Sequence, residues 1–200
     1  MISSKIKKLI HSEVRLWSKH YLEVPNKHLN RMPACPYAAK AWLDSKVDIV
    51  VRNPESGYTR DLHKHVKNIN FNKKEILIYC DTYFKEYSLN KFQRVIDNFN
   101  RRYNKKDIYF MGFHPYNPPN EEEQEFLLDP TGDVSNLPDS KIDFSMMLIQ
   151  KFSQLYEASD RLHRMGYYDK WPRDYYHEVV SSRQKHFKKL FKGGKHGNGT

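Results

Sequence analysis

Glu75-Ile76-Leu77-Ile78-Tyr79-Cys80, then Ser88 to Tyr103, then Asp107-Ile108-Tyr109-Phe110-Met111-Gly112-Phe113 is the stretch that decides the fold. The first segment is short and almost continuously apolar, the pattern of a strand buried on both faces. In the second, Leu89, Phe92, Val95, Ile96, Phe99 and Tyr103 recur at spacings of three and four behind Ser88, a natural N-cap, so this segment is an amphipathic helix. The third is again strand-like, reached through a short polar turn. Strand, helix and strand in this order form a βαβ unit whose two strands run parallel, with a right-handed crossover.

Upstream, Val47 to Val51 is β-branched and bounded by Asn53-Pro54 and Gly57, which marks another strand, and Asp61 to Ile69 reads as helical. Ile6, Leu9, Ile10, Val14, Trp17 and Tyr21 give an amphipathic first helix that Pro25 ends. Tyr37 to Leu43 is a short alanine-rich helix with Pro36 in its first turn and Cys35 at its N-terminus. Downstream, Pro115 to Ser140 is a long loop with five prolines and the acidic run Glu121-Glu122-Glu123. Asp143 is positioned to cap a helix with Phe144, Met147, Leu148, Phe152, Leu155 and Tyr156 on its apolar face, continuing to Met165. A last helix runs from about Arg173 to Phe191, and residues 193–200 form a flexible, Gly-rich tail.

These elements make one α/β domain over residues 1–192, with a small, partly parallel sheet, a central βαβ unit and flanking helices; an α+β arrangement is the alternative. The 14 Tyr and 11 Phe point to a core built from rings. No apolar run reaches the roughly 18 to 20 residues a membrane helix needs, and two cysteines do not make a disulfide framework. Both features fit a protein of the reducing cytosol with no membrane association.

The formal net charge of +10 is concentrated at the ends. Arg183, Lys185, Lys188, Lys189, Lys192 and Lys195 meet no acidic residue between 183 and 200, and Lys5, Lys7 and Lys8 open the chain, which leaves the middle close to neutral. With Phe187, Leu190 and Phe191 between the lysines, the C-terminal run could be a basic amphipathic helix that holds nucleic acid or another polyanion, or simply a solvated helix.

Three residues attract a catalytic reading. Cys35 at a helix N-terminus would feel the positive end of the dipole and act as thiolate nucleophile, redox centre or ligand; a small buried Cys is otherwise inert core. His114 directly follows a parallel strand, where α/β sheets bind ligands, and would serve as acid, base or ligand, or be satisfied by a backbone carbonyl. Asp81 ends the neighbouring parallel strand, so it is expected beside His114, where it would orient the imidazole or cap the following loop. Cys80 reads as core. His63 and His65 fall in a basic helical setting and read as surface rather than metal ligands. The two cysteines fit no common zinc-ligand spacing, so no metal site is expected, and the phosphate-loop, dinucleotide, nucleophile-elbow and zincin motifs are all missing, which removes the marks of those chemistries and leaves any cofactor unknown.

An N-terminal helix containing Trp17, the element Cys35-Pro36-Tyr37-Ala38, the strand Val47 to Val51, and the strand-helix-strand unit ending in Phe113-His114-Pro115 together resemble the uncharacterised bacterial family known as domain of unknown function 1415. The resemblance spans about residues 10–165. It implies that Cys35 and His114 belong together and supplies no reaction. After His114 the acidic, proline-rich segment stands where the family has an Asn-Arg-Ser-Pro-Tyr-Pro-like element. The functional expectation is a small enzyme with a Cys35/His114/Asp81 site. The alternatives are a polyanion-binding accessory protein, with Arg183, Lys185, Lys188, Lys189 and Lys192 as contacts, or a structural subunit docking through the aromatic stretch Tyr167 to Trp171.

Overall fold

The computed structural model describes residues 2–26, 29–115 and 141–192. The long acidic loop, apart from Pro115, and the Gly-rich tail with Lys195 lie outside the described residues.

Helix α1 (Ser4–Trp17) is capped by the Ser3 side chain, which accepts from the Ile6 amide, and runs into a π-helical turn, Ser18–Leu22. Helix α2 (Ala38–Leu43) leads to strand β1 (Val47–Val51), helix α3 (Tyr58–Asn68) and strand β2 (Ile76–Asp81). Helix α4 (Leu89–Tyr103), with Ser88 as its N-cap, connects to strand β3 (Ile108–Phe113). Strand β4 (Ser145–Lys151) passes without a loop into helix α5 (Phe152–Arg164). Helix α6 (Arg173–Tyr176), a π-helical turn (His177–Ser181) and helix α7 (Ser182–Phe191) complete the described chain.

The sheet order is β1-β2-β4-β3, with β1 parallel to β2 and β4 antiparallel to both its neighbours. Thus β2 and β3 do run parallel, but they are not neighbours, because β4 lies between them. The adjacent βαβ unit is β1-α3-β2. The expected helix from Asp143 is the second correction: residues 145–149 are fully buried in a central strand, and the helix starts only at Phe152. Its start is set by Asp107, which holds a left-handed backbone (φ 61°) and accepts from the Ser153 amide and hydroxyl, each at 2.6 Å. Asp is among the few residues that tolerate this conformation, and a carboxylate at a helix start satisfies its free amides.

Helices α3 and α4 cover one face of the sheet. There Leu62, Val66, Phe92, Ile96, Phe99 and Tyr103 meet Leu77, Tyr79, Phe110, Met147 and Ile149, an aromatic-rich core as the composition implies. The fit is closest at Gly112, where an added Cβ would stand 2.1 Å from Ile96 Cδ1 and 2.7 Å from Phe92 Cε1. The other face takes Ile10 and Val14 of α1 against Ile78, Cys80, Met146 and Leu148. On that side Phe152 of α5 packs on Tyr109 and on Phe187 of α7. The result is one α/β domain with a mixed sheet between two helical layers. A third cluster, around Leu29, Leu162, Tyr167, Tyr168 and Val180, ties the irregular segment before α2 to α5 and the C-terminal helices. Tyr167 and Tyr168 are buried inside that cluster and Trp171 is half-buried against it, so the rings of the stretch expected to be a contact patch are largely turned inward.

At the β3 edge, Asn100 of α4 does the work of a missing strand. Its side-chain amide donates to the Phe110 carbonyl at 3.0 Å and accepts from the Phe110 amide at 2.9 Å. Both outward-facing backbone groups of Phe110 are thereby paired.

Candidate functional site

Two polar regions merit description: the carboxyl ends of the parallel strands, and the cleft along the β3 edge.

At the first, Arg52 leaves the end of β1 and Asp81 ends β2. Arg52 Nη1 donates to Asp81 Oδ2 at 3.1 Å and to Oδ1 at 3.3 Å, with the side chains only 7% and 1% exposed. The Tyr83 amide donates to Oδ1 at 2.9 Å, and the Tyr87 hydroxyl donates to Oδ2. Arg52 also lies over the Tyr58 and Tyr83 rings. Burial, and after it the bond to Asp81, raises the Tyr87 phenol above its ordinary value, and burial does the same for Tyr58. Both hydroxyls are therefore neutral donors. Asp81 is an acceptor already engaged by three different donors, which suits it to holding the strand ends together.

Register places Asp81 opposite Ser145, and Phe113 opposite Met146. His114, just past Phe113, is thus at the same sheet end as Asp81 but with β4 between them, two strand spacings or about 10 Å away. The expected neighbourly contact fails for that reason. His114 is buried, packing against the rings of Phe84 and Phe92 at 5.4 and 5.1 Å, and burial lowers its pKa, which keeps the imidazole neutral. Sequence reading overlooked Arg52, Tyr87 and Ser145. The available signal for Arg52 was a basic residue placed directly after a parallel strand, as Asp81 is an acidic one.

Cys35 stands elsewhere. Its amide donates to the Leu22 carbonyl at 2.9 Å, and the adjacent Ala34 carbonyl accepts from the Tyr167 hydroxyl at 2.8 Å, so the thiol belongs with the third cluster. Helix α2 begins at Ala38 with Tyr37 as cap, which leaves Cys35 two positions ahead of the cap. Burial raises the thiol's pKa, against a lowering by the Tyr37 and Ala38 amides, and Glu23 raises it further. Burial thus works against the expected thiolate, and a helix of six residues offers little dipole to offset it. Cys80 is core, its pKa raised by burial and then by Asp81. His63 and His65 lie on helix α3, where His63 Nδ1 pairs with the Tyr103 hydroxyl at 2.7 Å and Asp61 lies 3.7 Å from His65 Nε2. Among the described residues, no three His, Cys, Asp or Glu side chains form a group that could hold a metal.

The second region is a pocket of about 540 Å³ between the C-terminal half of α4 and helix α7, astride the β3 edge. Arg101, Lys105, Arg183 and His186 line it together with Asp97, Asn100, Asn104, Tyr109, Ser182 and Leu190. Arg183 is the inner member. Its Nη2 donates to Ser159 Oγ at 3.0 Å, its Nη1 lies 4.0 Å from Met111 Sδ, and its buried Nε has no hydrogen-bond partner among the described residues. Burial lowers its pKa, offset in part by Tyr109, Tyr168 and Tyr175. With the Asn104 amide turned so that its oxygen faces the ring, His186 Nε2 donates to it at 3.0 Å. Sequence reading missed Arg101 and Lys105; the signal was a helix ending in Arg101-Arg102 and followed by Lys105-Lys106.

At about 100° per residue, Lys185, Lys188, Lys189 and Lys192 share one stripe of α7, while Arg183, His186 and Leu190 share another. All four lysines are exposed; the Lys192 ammonium lies 4.6 Å from the centre of the Tyr156 ring. Among the described residues, none of these four lysines, nor Arg101, Lys105 or Arg183, has a carboxylate partner.

Comparisons with family models, curated proteins and solved structures find no match. The resemblance to domain of unknown function 1415 rests on its short elements alone. Among the described residues, no helix is long and apolar enough to cross a membrane.

Proposed function

We propose that this protein binds nucleic acid through the phosphate backbone, using the C-terminal helix α7 and the basic end of α4. One observation carries the reading: Lys185, Lys188, Lys189 and Lys192 form a single exposed stripe with no carboxylate partner among the described residues. Cations left unneutralised along one helix attract a polyanion and release its counterions on contact. Arg101 and Lys105, exposed across the pocket, extend the positive surface beyond α7.

Fluorescence anisotropy of labelled single-stranded RNA and duplex DNA over a salt series tests this reading. Six phosphate contacts, from the four lysines with Arg101 and Lys105, give a slope of log K against log salt of about −4 to −5. In the Lys185→Ala/Lys188→Ala/Lys189→Ala variant the slope should shrink to about −2 to −3, with the melting temperature unchanged. Absence of binding at low salt, or an unchanged slope in the variant, refutes it.

A further inference from the structure

The lysine stripe explains attraction to a backbone, but it leaves the pocket at the β3 edge without a use. Three basic side chains, Arg101, Lys105 and Arg183, line it together with one carboxylate, Asp97. Asp97 is itself engaged, accepting from Gln93 Nε2 at 3.1 Å. Arg183 is the least conventional of the three, because its guanidinium, at the back of the pocket wall, has a serine hydroxyl and a thioether beside it and no carboxylate partner among the described residues. A largely desolvated cation without a counterion is costly, and an anion entering the pocket removes that cost. The chemistry of the site therefore asks for negative charge of about two units.

A phosphodiester carries one negative charge, whereas a phosphomonoester carries roughly −1.5 to −2 near neutral pH. Its three terminal oxygens also match the forked donors of an arginine better than the two of a diester. The volume, about 540 Å³, is within the range of small-ligand sites and exceeds what a phosphate alone would fill. Tyr109 and Leu190 supply an apolar wall on which a sugar or base can rest. The floor is held rigid, since Asn100 is tied to both backbone groups of Phe110.

We infer that this pocket seats the phosphomonoester of a nucleotide, with Arg183 as the inner anchor and Arg101 and Lys105 at the mouth. This rests on the nucleic-acid reading for its preferred source, the terminal phosphate of a strand; a free mononucleotide offers the same group. The pocket and the lysine stripe lie on different sides of α7, so the two can be tested separately.

The test compares 5′-phosphorylated with 5′-hydroxyl RNA of identical sequence, and AMP with adenosine, by calorimetry and by competition. Phosphorylated RNA should bind about tenfold or more tightly than its hydroxyl counterpart, as expected for one charged hydrogen-bonded contact. Adenosine should not bind. The preference should vanish in Arg183→Met and also in Arg101→Ala/Lys105→Ala, whose side chains are exposed and whose loss leaves the fold intact. AMP that competes with phosphorylated RNA but binds as tightly by itself identifies the free nucleotide as the source. Lys185→Ala/Lys188→Ala/Lys189→Ala should keep the preference while losing overall affinity. Equal affinity for phosphorylated and hydroxyl RNA overturns the pocket assignment and leaves the backbone reading standing. AMP binding without any RNA binding does the reverse.

Discussion

Replacing Asp81 by alanine removes the acceptor shared by Arg52, the Tyr83 amide and the Tyr87 hydroxyl. Among the described residues the Arg52 guanidinium, 7% exposed, then keeps a distant contact from its Nη2 to Glu86 at 3.5 Å and the faces of the Tyr58 and Tyr83 rings. Breaking a buried pair from one side costs about 3–5 kcal/mol. Against a total stability of roughly 5–15 kcal/mol, that is a large share of what holds the domain. In urea, with a slope of about 2–3 kcal/mol per molar, the midpoint should fall by roughly 1–2 M. Replacing both partners, as in Arg52→Leu/Asp81→Leu, leaves no buried charge, and the loss should be at least about 1 kcal/mol smaller than the sum of the two single variants. Unfolding followed by circular dichroism at constant pH measures Asp81→Ala, the two single leucine variants and their double. If Asp81→Ala costs under about 1 kcal/mol, or the two changes add, the carboxylate is not the hub described here, and a chemical role for it becomes the better account.

Two further changes probe the packing. Gly112→Ala sets a methyl group 2.1 Å from Ile96 Cδ1 and 2.7 Å from Phe92 Cε1, so the Ile96 tip and the Phe92 ring must shift; a loss of about 1–3 kcal/mol is expected, and a thermal midpoint equal to that of the unaltered protein would show that those side chains give way freely. Burial lowers the His114 pKa from 6.5, so the native state binds a proton less readily than the unfolded chain. Its contribution to stability is complete above pH 6.5 and is lost as pH falls through the lower folded value. His114→Phe keeps ring packing on Phe84 and Phe92 and should flatten that acid-side decline; an identical pH profile would contradict it.

Elements with one unambiguous period were readable from the chain. Ser88 and the face Phe92, Ile96, Phe99 and Tyr103 define α4 to the residue, and the β-branched run Val47 to Val51 defines β1. Residues 143–156 misled because Met147, Leu148, Phe152 and Leu155 satisfy helical spacing, and Met and Leu favour helix. Burial between two strands overrides that preference, since a central strand may be apolar on both faces. That one substitution of strand for helix also displaced His114 from Asp81. For Cys35 the amides of Tyr37 and Ala38 are where they were expected, while burial, which the sequence does not display, pushes the thiol's pKa the other way. The C-terminal helix was legible as a basic amphipath. Its partition into a lysine stripe and an inward Arg183 was not, because the cations of α4 that complete the pocket lie some eighty residues earlier.

The position of β4 bears on how the protein is made. A ribosome releases β1, α3 and β2 early, and that unit can close on itself. When β3 emerges it has no partner, because the strand that joins it to β2 is still more than thirty residues from synthesis. Until then, one side of β2 and both sides of β3 offer unpaired backbone beside Leu77, Ile78 and Phe110. Helix α4 is in place to shelter them, with Asn100 already able to hold Phe110. The middle of the sheet is the last part to be filled, and a chain stopped before residue 145 would expose it.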